Sequence, residues 1–296
     1  MTKKQEVLRQ IINILSINLQ NDVRIGLMNG RMGISILLYH YARLTGNEQC
    51  RYFPDMFMEK MEDHILACSD KNIFDGSTGI CQGIDYVMKN GFIEADEEVL
   101  NDIDTFINAV DGDENLKDLD SEVPLFAKGL YFLQRGSVEN INKSLLETLH
   151  FIKTNPSVAL PVMYINSIVY VALVSSAESD NKEFYEKLLN FLHGTISKKT
   201  DLKIDNQDYF LLKKNISLMP EQQAMKWSKL IPDEYQPDDI PDCCWIDFIF
   251  PKGERIPVDI DKINMWIRDC LDQFNSDKMY LYKGLTGIGL SIINKL

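Results

Sequence analysis

The sequence has few of the residues that hold metal ions, and it has an excess of one charge. Only 4 of its 296 residues are histidine, and no two of them have a spacing suited to a shared metal ion. Lysine and arginine number 31 against 44 aspartates and glutamates, which gives a formal net charge of -13. Nucleic acids and anionic membranes are bound through an excess of cations. The composition therefore argues against both as main partners, and solubility alone also accounts for an acidic surface.

The sequence also lacks a long uncharged apolar run. A membrane-spanning helix needs about 18 or more such residues, and no window approaches that length. The most apolar stretch, residues 157–177, contains Pro161 and Asn166 and predicts a buried helix. No signal-type apolar core follows the N-terminus, so we expect a cytoplasmic protein. We expect its six cysteines to be free thiols, most of them in the core: Cys50, Cys68, Cys81, Cys243, Cys244 and Cys270.

Apolar residues recur every three or four positions, which is typical of amphipathic helices rather than strands. Six such stripes predict outer helices with one solvated face: residues 7–19, 56–66, 99–110, 145–152, 184–192 and 260–271. Between them lie more apolar segments, several beginning with glycine, which predict buried inner helices: residues 27–44, 77–90, 123–135, 158–177, 204–218 and 283–296, with 240–250 as a possible seventh.

Pairs of outer and inner helices point to an all-α protein with an α/α toroid fold. We expect about seven helical hairpins in two concentric layers, forming a single domain over residues 1–296. An irregular loop rich in proline and aspartate interrupts the pattern at residues 231–258. The apolar insert at 244–250 within it fits either a strand or a degenerate inner helix. The rival architecture, an open α-solenoid, would have more uniform repeats and no reason for glycine at inner-helix starts.

Three glycine clusters open buried segments and indicate a copied structural unit. Glycine permits a tight turn and close approach of helices, so we expect these to be structural glycines: Gly26, Gly30, Gly33, Gly76, Gly79, Gly83, Gly284, Gly287 and Gly289. Helix N-termini also attract anions. None of the clusters matches a phosphate-binding loop motif, however, so the structural interpretation is favoured.

Three blocks resemble the glycine-rich repeats of the lanthionine synthetase C-like family. They are GLMNGRMGISILLYHYARLTGNE from Gly26, FDGSTGICQGIDYVMKNGFIEAD from Phe74, and LYKGLTGIGLSI from Leu281. The resemblance implies an α/α toroid of seven inner and seven outer helices. It also implies zinc at the toroid mouth, held by a cysteine in one repeat and a Cys-His pair in the next. In such enzymes the metal makes a substrate cysteine a thiolate, which adds to a dehydrated serine or threonine to close a thioether ring.

The sequence departs from the family where the metal ligands belong. The fifth inner segment, residues 202–218, contains neither cysteine nor histidine. The sixth has Asp242, Cys243, Cys244 and Trp245, without histidine or a following glycine. A catalytic zinc normally has three protein ligands, so we expect no cofactor and structural thiols. The lining of a toroid pocket would then come from Asp75, Cys81, Tyr86, Asp242, Cys243, Cys244, Trp245 and Tyr282.

The resemblance, taken with the missing zinc ligands, implies a bacterial, zinc-less pseudoenzyme of peptide modification. We expect it to bind or scaffold a precursor peptide, together with other modification enzymes, or to be a diverged modifying enzyme. One alternative is an active zinc cyclase with ligands rearranged among the cysteines and histidines. Another is a carbohydrate-active toroid with paired carboxylates, drawn from Asp75, Asp85, Asp242 and Asp247, and with a sugar-stacking ring from Tyr86, Tyr164, Trp245 or Tyr282. We expect the histidines to be structural or solvent-facing: His40, His64, His150 and His193.

Overall fold

The computed structural model describes most of the chain: residues 2–19, 24–61, 76–94, 97–109, 125–179, 181–198, 204–232, 235–237, 241–272 and 276–296. Within these ranges the protein is all-α and contains no strand, which confirms the predicted fold class. None of the helices in them has both the length and the apolar composition needed to traverse a bilayer.

The described residues form fourteen α-helices, most of them joined by short connections. They are α1 (Lys3–Asn18), α2 (Arg31–Thr45), α3 (Tyr52–Met58), α4 (Ser77–Lys89), α5 (Glu97–Asn108), α6 (Ala127–Arg135), α7 (Val138–Thr154), α8 (Val162–Ser176), α9 (Lys182–Ser197), α10 (Asn206–Leu218), α11 (Glu221–Ser228), α12 (Ile246–Ile249), α13 (Ile260–Asp272) and α14 (Leu285–Ile293). Three single 3-10 turns accompany them, at Glu48–Arg51, Pro241–Cys243 and Ser276–Met279.

Each predicted segment overlaps one of these helices. The inner segments α2, α8 and α14 are buried along nearly their whole length, whereas α1 buries only its stripe, with Val7, Ile11 and Leu15. The apolar insert at 244–250 contains the single helical turn α12 and no strand, which favours the helical of its two predicted alternatives. Sequence reasoning missed α11, since only Trp227 of its mostly polar sequence is buried. The closing of these helices into a toroid stays a prediction.

The helices group into two compact units. Unit 1 comprises Met1–Leu100, Asp239–Phe248 and Ile256–Leu296, and unit 2 comprises Asn101–Asp238 and Ile249–Arg255. In unit 1 the buried helix α2 packs against α3, α4 and α14, and α1 packs against α13 and α14. In unit 2 the buried helix α8 packs against α6, α7, α9 and α10. The predicted inner helices therefore contact one another within each unit, α2 with α4 and α14 in unit 1 and α8 with α6 and α10 in unit 2. The prediction of one domain over residues 1–296 stays a prediction.

Candidate functional site

The predicted lining residues that the structure describes all belong to unit 1, but they differ in exposure. Cys81, Cys243, Cys244 and Trp245 are each 1% exposed. Half-buried positions are taken by Tyr86, Asp242 and Tyr282. Asp75 lies outside the described residues. Only the half-buried members of the predicted set therefore present side chains to a ligand.

The two adjacent cysteines are sealed in the core of unit 1. Cys243 ends a 3-10 turn and Cys244 follows it, ahead of α12. Burial raises the pKa of the Cys244 thiol to about 12, while the ammonium group of Lys295 partly opposes that shift. The carboxylate of Asp247 raises the thiol pKa further, and Asp247 itself accepts a hydrogen bond from the backbone N–H of Ile256 at 3.1 Å. These surroundings keep the Cys244 thiol protonated at neutral pH.

The residues around the cysteine pair do not fit a family-like zinc site. Across the described ranges, no three His, Cys, Asp or Glu side chains are grouped so that they could hold a metal ion. The described histidines have other neighbours: His40 contacts Tyr86, and the ring of His193 packs against Trp227 in unit 2. His150 is exposed on α7, and His64 lies outside the described residues. A catalytic zinc would need a third ligand that this arrangement does not provide.

A half-buried pair of polar rings joins two buried helices of unit 1. His40 Nε2 of α2 and Tyr86 Oη of α4 are 2.8 Å apart, a short hydrogen bond. Aromatic rings frame this His-Tyr pair: Phe248 lies 5.0 Å from Tyr86 and Phe92 lies 4.8 Å from His40, measured between centroids. His40, Tyr86 and Phe248 are all half-buried, so this group combines partly accessible apolar contact area with two polar rings.

Both members of the His-Tyr pair are uncharged over a wide pH range. Burial, assisted by the nearby Arg43 guanidinium, lowers the pKa of His40 to about 4. Burial also raises the pKa of Tyr86 to about 12. Neither group therefore exchanges protons readily near neutral pH, which suits hydrogen bonding to a neutral ligand better than acid-base catalysis.

Three carboxylates of the carbohydrate alternative belong to the described residues, and these three have local structural partners. Asp85 is fully buried and pairs with Lys89 of the same helix at 3.2 Å. The Asp247 carboxylate accepts the hydrogen bond from the backbone N–H of Ile256, and Oδ1 of Asp242 lies 4.0 Å from Nζ of Lys278. Tyr164 is buried in unit 2, where its ring meets that of Phe126 edge-on. These contacts assign the carboxylates to local structure and do not favour a sugar site.

The glycine clusters before α2 and α14 have the same construction. A Cβ on Gly33 would lie 2.4 Å from the carbonyl oxygen of Leu27, and one on Gly287 would lie 2.5 Å from that of Leu281, six residues earlier in both cases. The N-cap glycines also approach the backbone closely, in both cases at the residue four positions earlier. A Cβ on Gly30 would lie 2.3 Å from the backbone nitrogen of Gly26, and one on Gly284 would lie 2.6 Å from the carbonyl oxygen of Tyr280. Only glycine fits such close backbone approaches.

The remaining glycines bring buried helices together. A Cβ on Gly83 of α4 would meet the Met32 side chain of α2 at 2.3 Å, and one on Gly289 of α14 would meet Leu37 of α2 at 2.7 Å. Gly76 is the N-cap of α4, with an extended backbone like that of Gly30 and Gly284. Gly79 belongs to the first turn of α4. The clusters are thus positions where helices start and where neighbouring helices contact.

Sequence reasoning missed several residues that the structure brings to accessible positions. His40 was assigned a structural role because its neighbours in sequence are apolar, and Phe248 had no motif around it. Cations beside the two glycine loops were also missed: Arg24, Arg31, Lys278 and Lys283. The available signal was their spacing, because Arg24 and Lys278 each precede an N-cap glycine by six residues.

A separate groove of about 540 Å³ lies between α1 and α13 in unit 1. Its walls include Lys3, Glu6 and Gln10 on one helix and Asn264 and Arg268 on the other. None of the predicted site residues lines it. Its charges are of both signs and do not single out a ligand class.

The resemblance to the lanthionine synthetase C-like family rests on the three glycine blocks and stays a prediction. The chain matches no family model, no curated protein and no solved structure.

Proposed function

We propose that the chain is a lanthionine synthetase C-like protein that binds a peptide segment in ribosomal peptide modification and does not use zinc. The observation that carries this proposal is the half-buried His-Tyr pair, with a 2.8 Å contact between α2 and α4 and a frame of aromatic rings. Rings with polar tips supply contact area at low entropic cost and can hydrogen-bond to a peptide backbone.

The protonation states of the pair support binding rather than catalysis. A catalytic acid or base works best when its pKa is near the operating pH. His40, with a pKa of about 4, and Tyr86, with a pKa of about 12, are both far from neutrality. The pair is therefore a fixed, neutral donor and acceptor, which suits the uncharged amides of a peptide.

The cysteine pair supports the absence of cyclase chemistry at the family's metal position. Cys243 and Cys244 are each 1% exposed, so a substrate thiol has no open approach to them. A zinc cyclase needs a metal position open to its substrate. The retained glycine framework and the sealed thiols together favour a scaffold or binding component over a thioether-forming enzyme.

The proposal is tested by selecting ligands from a random peptide library displayed on phage, with the full chain as bait. Selected peptides are then synthesised with a fluorophore and titrated against wild-type protein by fluorescence polarisation. We expect Tyr86→Phe, which removes the hydroxyl, and Phe248→Leu, which removes the ring, to weaken binding about tenfold each. Tyr52→Phe is the matched control, because Tyr52 is 76% exposed in the same unit.

Three results would count against the proposal. One is a selection that enriches no peptide over uncoated support. Another is a set of affinities that stay the same in the Tyr86 and Phe248 variants. The third is release of thioether product from a dehydrated cysteine-containing peptide, which would make the chain a cyclase.

A further inference from the structure

Arg43 of α2 lies beside the His-Tyr pair and is held by a ring and by two backbone carbonyls. Its guanidinium carbon is 3.7 Å from the centroid of the Phe92 ring, and the same ring lies 4.8 Å from that of His40. Its Nη2 donates to the carbonyls of Asn90 at 2.6 Å and Gly91 at 3.2 Å, at the C-terminal end of α4. The cation is therefore fixed next to the pair before any ligand binds, which lowers the entropic cost of pairing with it.

The charge of Arg43 acts on both rings of the pair. Burial is the main cause of their pKa shifts, but the guanidinium also contributes, because it lowers the pKa of His40 and opposes the rise in the pKa of Tyr86. A nearby positive charge has this effect since it disfavours the imidazolium and favours the phenolate. Arg43 is thus close enough to act on a ligand that contacts the pair.

A second arginine has the same structural role but a different charge balance. Arg51 donates from Nη2 to the carbonyl of Phe92 at 2.9 Å, and its Nε lies 3.8 Å from Glu48 and 3.6 Å from Asp55. Arg43 is exposed, and none of the carboxylates of the described residues lies within 4.0 Å of it. Holding the end of α4 does not require an uncompensated charge, as Arg51 shows. The Nε and Nη1 donors of Arg43 are therefore available to a ligand.

The site has an apolar end and a positive end. The Phe248 ring lies 5.0 Å from that of Tyr86 on one side of the pair, and Arg43 follows His40 and Phe92 on the other. A ligand that covers these residues in order of contact needs an apolar side chain, a hydrogen-bonding amide and an acidic group a short distance apart.

We infer that the peptide bound at the His-Tyr pair carries a carboxylate that pairs with Arg43, next to an apolar side chain that packs on Phe248. This inference rests on the proposed function, because it names the chemistry of the peptide that the site takes. The net charge of -13 repels anionic ligands, so a local cation decides whether one binds. The carboxylate belongs either to an aspartate or glutamate side chain or to the C-terminus of the peptide.

The test probes a synthetic peptide array with the fluorescently labelled full chain. Each peptide is attached through its N-terminus and has three varied residues between glycines, and the array is made once with free C-terminal carboxylates and once with amides. We expect the bound sequences to combine an apolar residue with aspartate or glutamate on both arrays if the side chain supplies the carboxylate. If the C-terminus supplies it, apolar sequences bind on the first array alone. Arg43→Glu should reverse the preference toward lysine and arginine.

Affinity in solution measures the size of the effect. A bound peptide is labelled with fluorescein and titrated by fluorescence polarisation beside the same peptide with its carboxylate replaced by an amide. We expect this replacement to weaken binding to the wild type by about threefold to fivefold, since an exposed ion pair contributes modestly. It should not change binding to Arg43→Met, because the partner charge is gone. Added salt should reduce the difference seen with the wild type.

Arg51→Met is the matched control, because Arg51 also holds the end of α4 but is already paired with carboxylates. Thermal melting measures how much stability each variant loses. Arg51→Met should keep the preference for a carboxylate. Loss of that preference in Arg51→Met as well as in Arg43→Met would assign the effect to the fold and overturn the inference.

The outcomes separate this inference from the proposed function. Peptides that lose affinity in Tyr86→Phe but show no preference for a carboxylate would overturn the inference alone. A carboxylate preference that persists in Arg43→Glu would do the same. An array on which no peptide binds would overturn both.

Discussion

The two units bring buried helices together by different means. In unit 1 the contacts depend on the absence of side chains, because a Cβ on Gly289 of α14 would lie 2.7 Å from Leu37 of α2 and one on Gly83 of α4 would lie 2.3 Å from Met32 of α2. In unit 2 they depend on buried polar side chains. The Asn215 amide of α10 donates to the carbonyl of Asn166 in α8 at 2.9 Å, and the fully buried Lys214 donates to the carbonyl of Glu254 at 2.8 Å.

This difference explains why a repeated sequence motif is recognisable in unit 1 and not in unit 2. Only glycine allows two backbones to approach this closely, so the glycines of unit 1 form a recognisable pattern in the sequence. Buried hydrogen bonds can be made by many residue types in many positions. Unit 2 therefore keeps the alternation of half-exposed and buried helices without any motif that sequence reasoning could detect.

The strongest test of the comparison replaces a contact glycine. In Gly287→Ala the new Cβ would collide with a backbone carbonyl, which cannot turn aside as a side chain can. We expect a loss of about 3 kcal/mol or more in the free energy of unfolding, measured by denaturant titration. Gly194→Ala in α9 of unit 2 is the control, because nothing lies within 4 Å of its Cβ position. That variant should be stabilised by about 0.5 to 1 kcal/mol, as alanine favours helix more than glycine. Equal losses in both variants would remove the distinction between the units.

A smaller effect concerns His40, the half-buried histidine of unit 1. The pKa of His40 is lowered to about 4 in the folded protein. The unfolded chain therefore binds a proton that the folded chain rejects, and stability falls as the pH drops below the unfolded pKa of about 6.5. Between about pH 7.5 and about pH 5 this costs about 2 kcal/mol. His40→Gln keeps a polar partner for Tyr86 and should remove that part of the pH dependence.

The comparison between units provides the control for this histidine. Burial against Trp227 lowers the pKa of His193 in unit 2 as well. His193→Gln should also reduce the loss of stability at low pH, as His40→Gln does. Its effect should be smaller, because the His193 ring on α9 is more exposed to solvent than the His40 ring. An unchanged pH profile in His40→Gln would contradict the assignment of a neutral, buried ring.

The smallest expected effect is in the polar contacts of unit 2. Asn215→Leu keeps the branched shape of the side chain, although it adds volume, and removes the hydrogen bond to Asn166, so we expect a loss of about 1 kcal/mol or more in the free energy of unfolding. Asn101→Leu on α5 is an exposed asparagine in the same unit and should change stability by no more than about 0.5 kcal/mol. A gain in Asn215→Leu would show that apolar packing alone holds α8 and α10 together.

The sequence could predict most of the helices and little of the site. Periodicity located the buried helices because burial on all sides leaves few positions for charge, as in α8. It did not locate α11, which buries a single tryptophan. The His-Tyr pair could not be found because His40 and Tyr86 are far apart in sequence and each sits in an apolar run. The cations beside the two glycine loops were obscured by the acidic composition, although the spacing of Arg24 and Lys278 from the N-cap glycines was readable.

The central claim, a glycine framework without a thiolate metal site, is tested most directly by metal analysis. The full chain is expressed with added zinc, purified without chelator and measured for zinc by mass spectrometry, alongside the double variant Cys243→Ser and Cys244→Ser. The account predicts far less than about one zinc per chain in both proteins. About one zinc per wild-type chain, lost in the double variant, would contradict it.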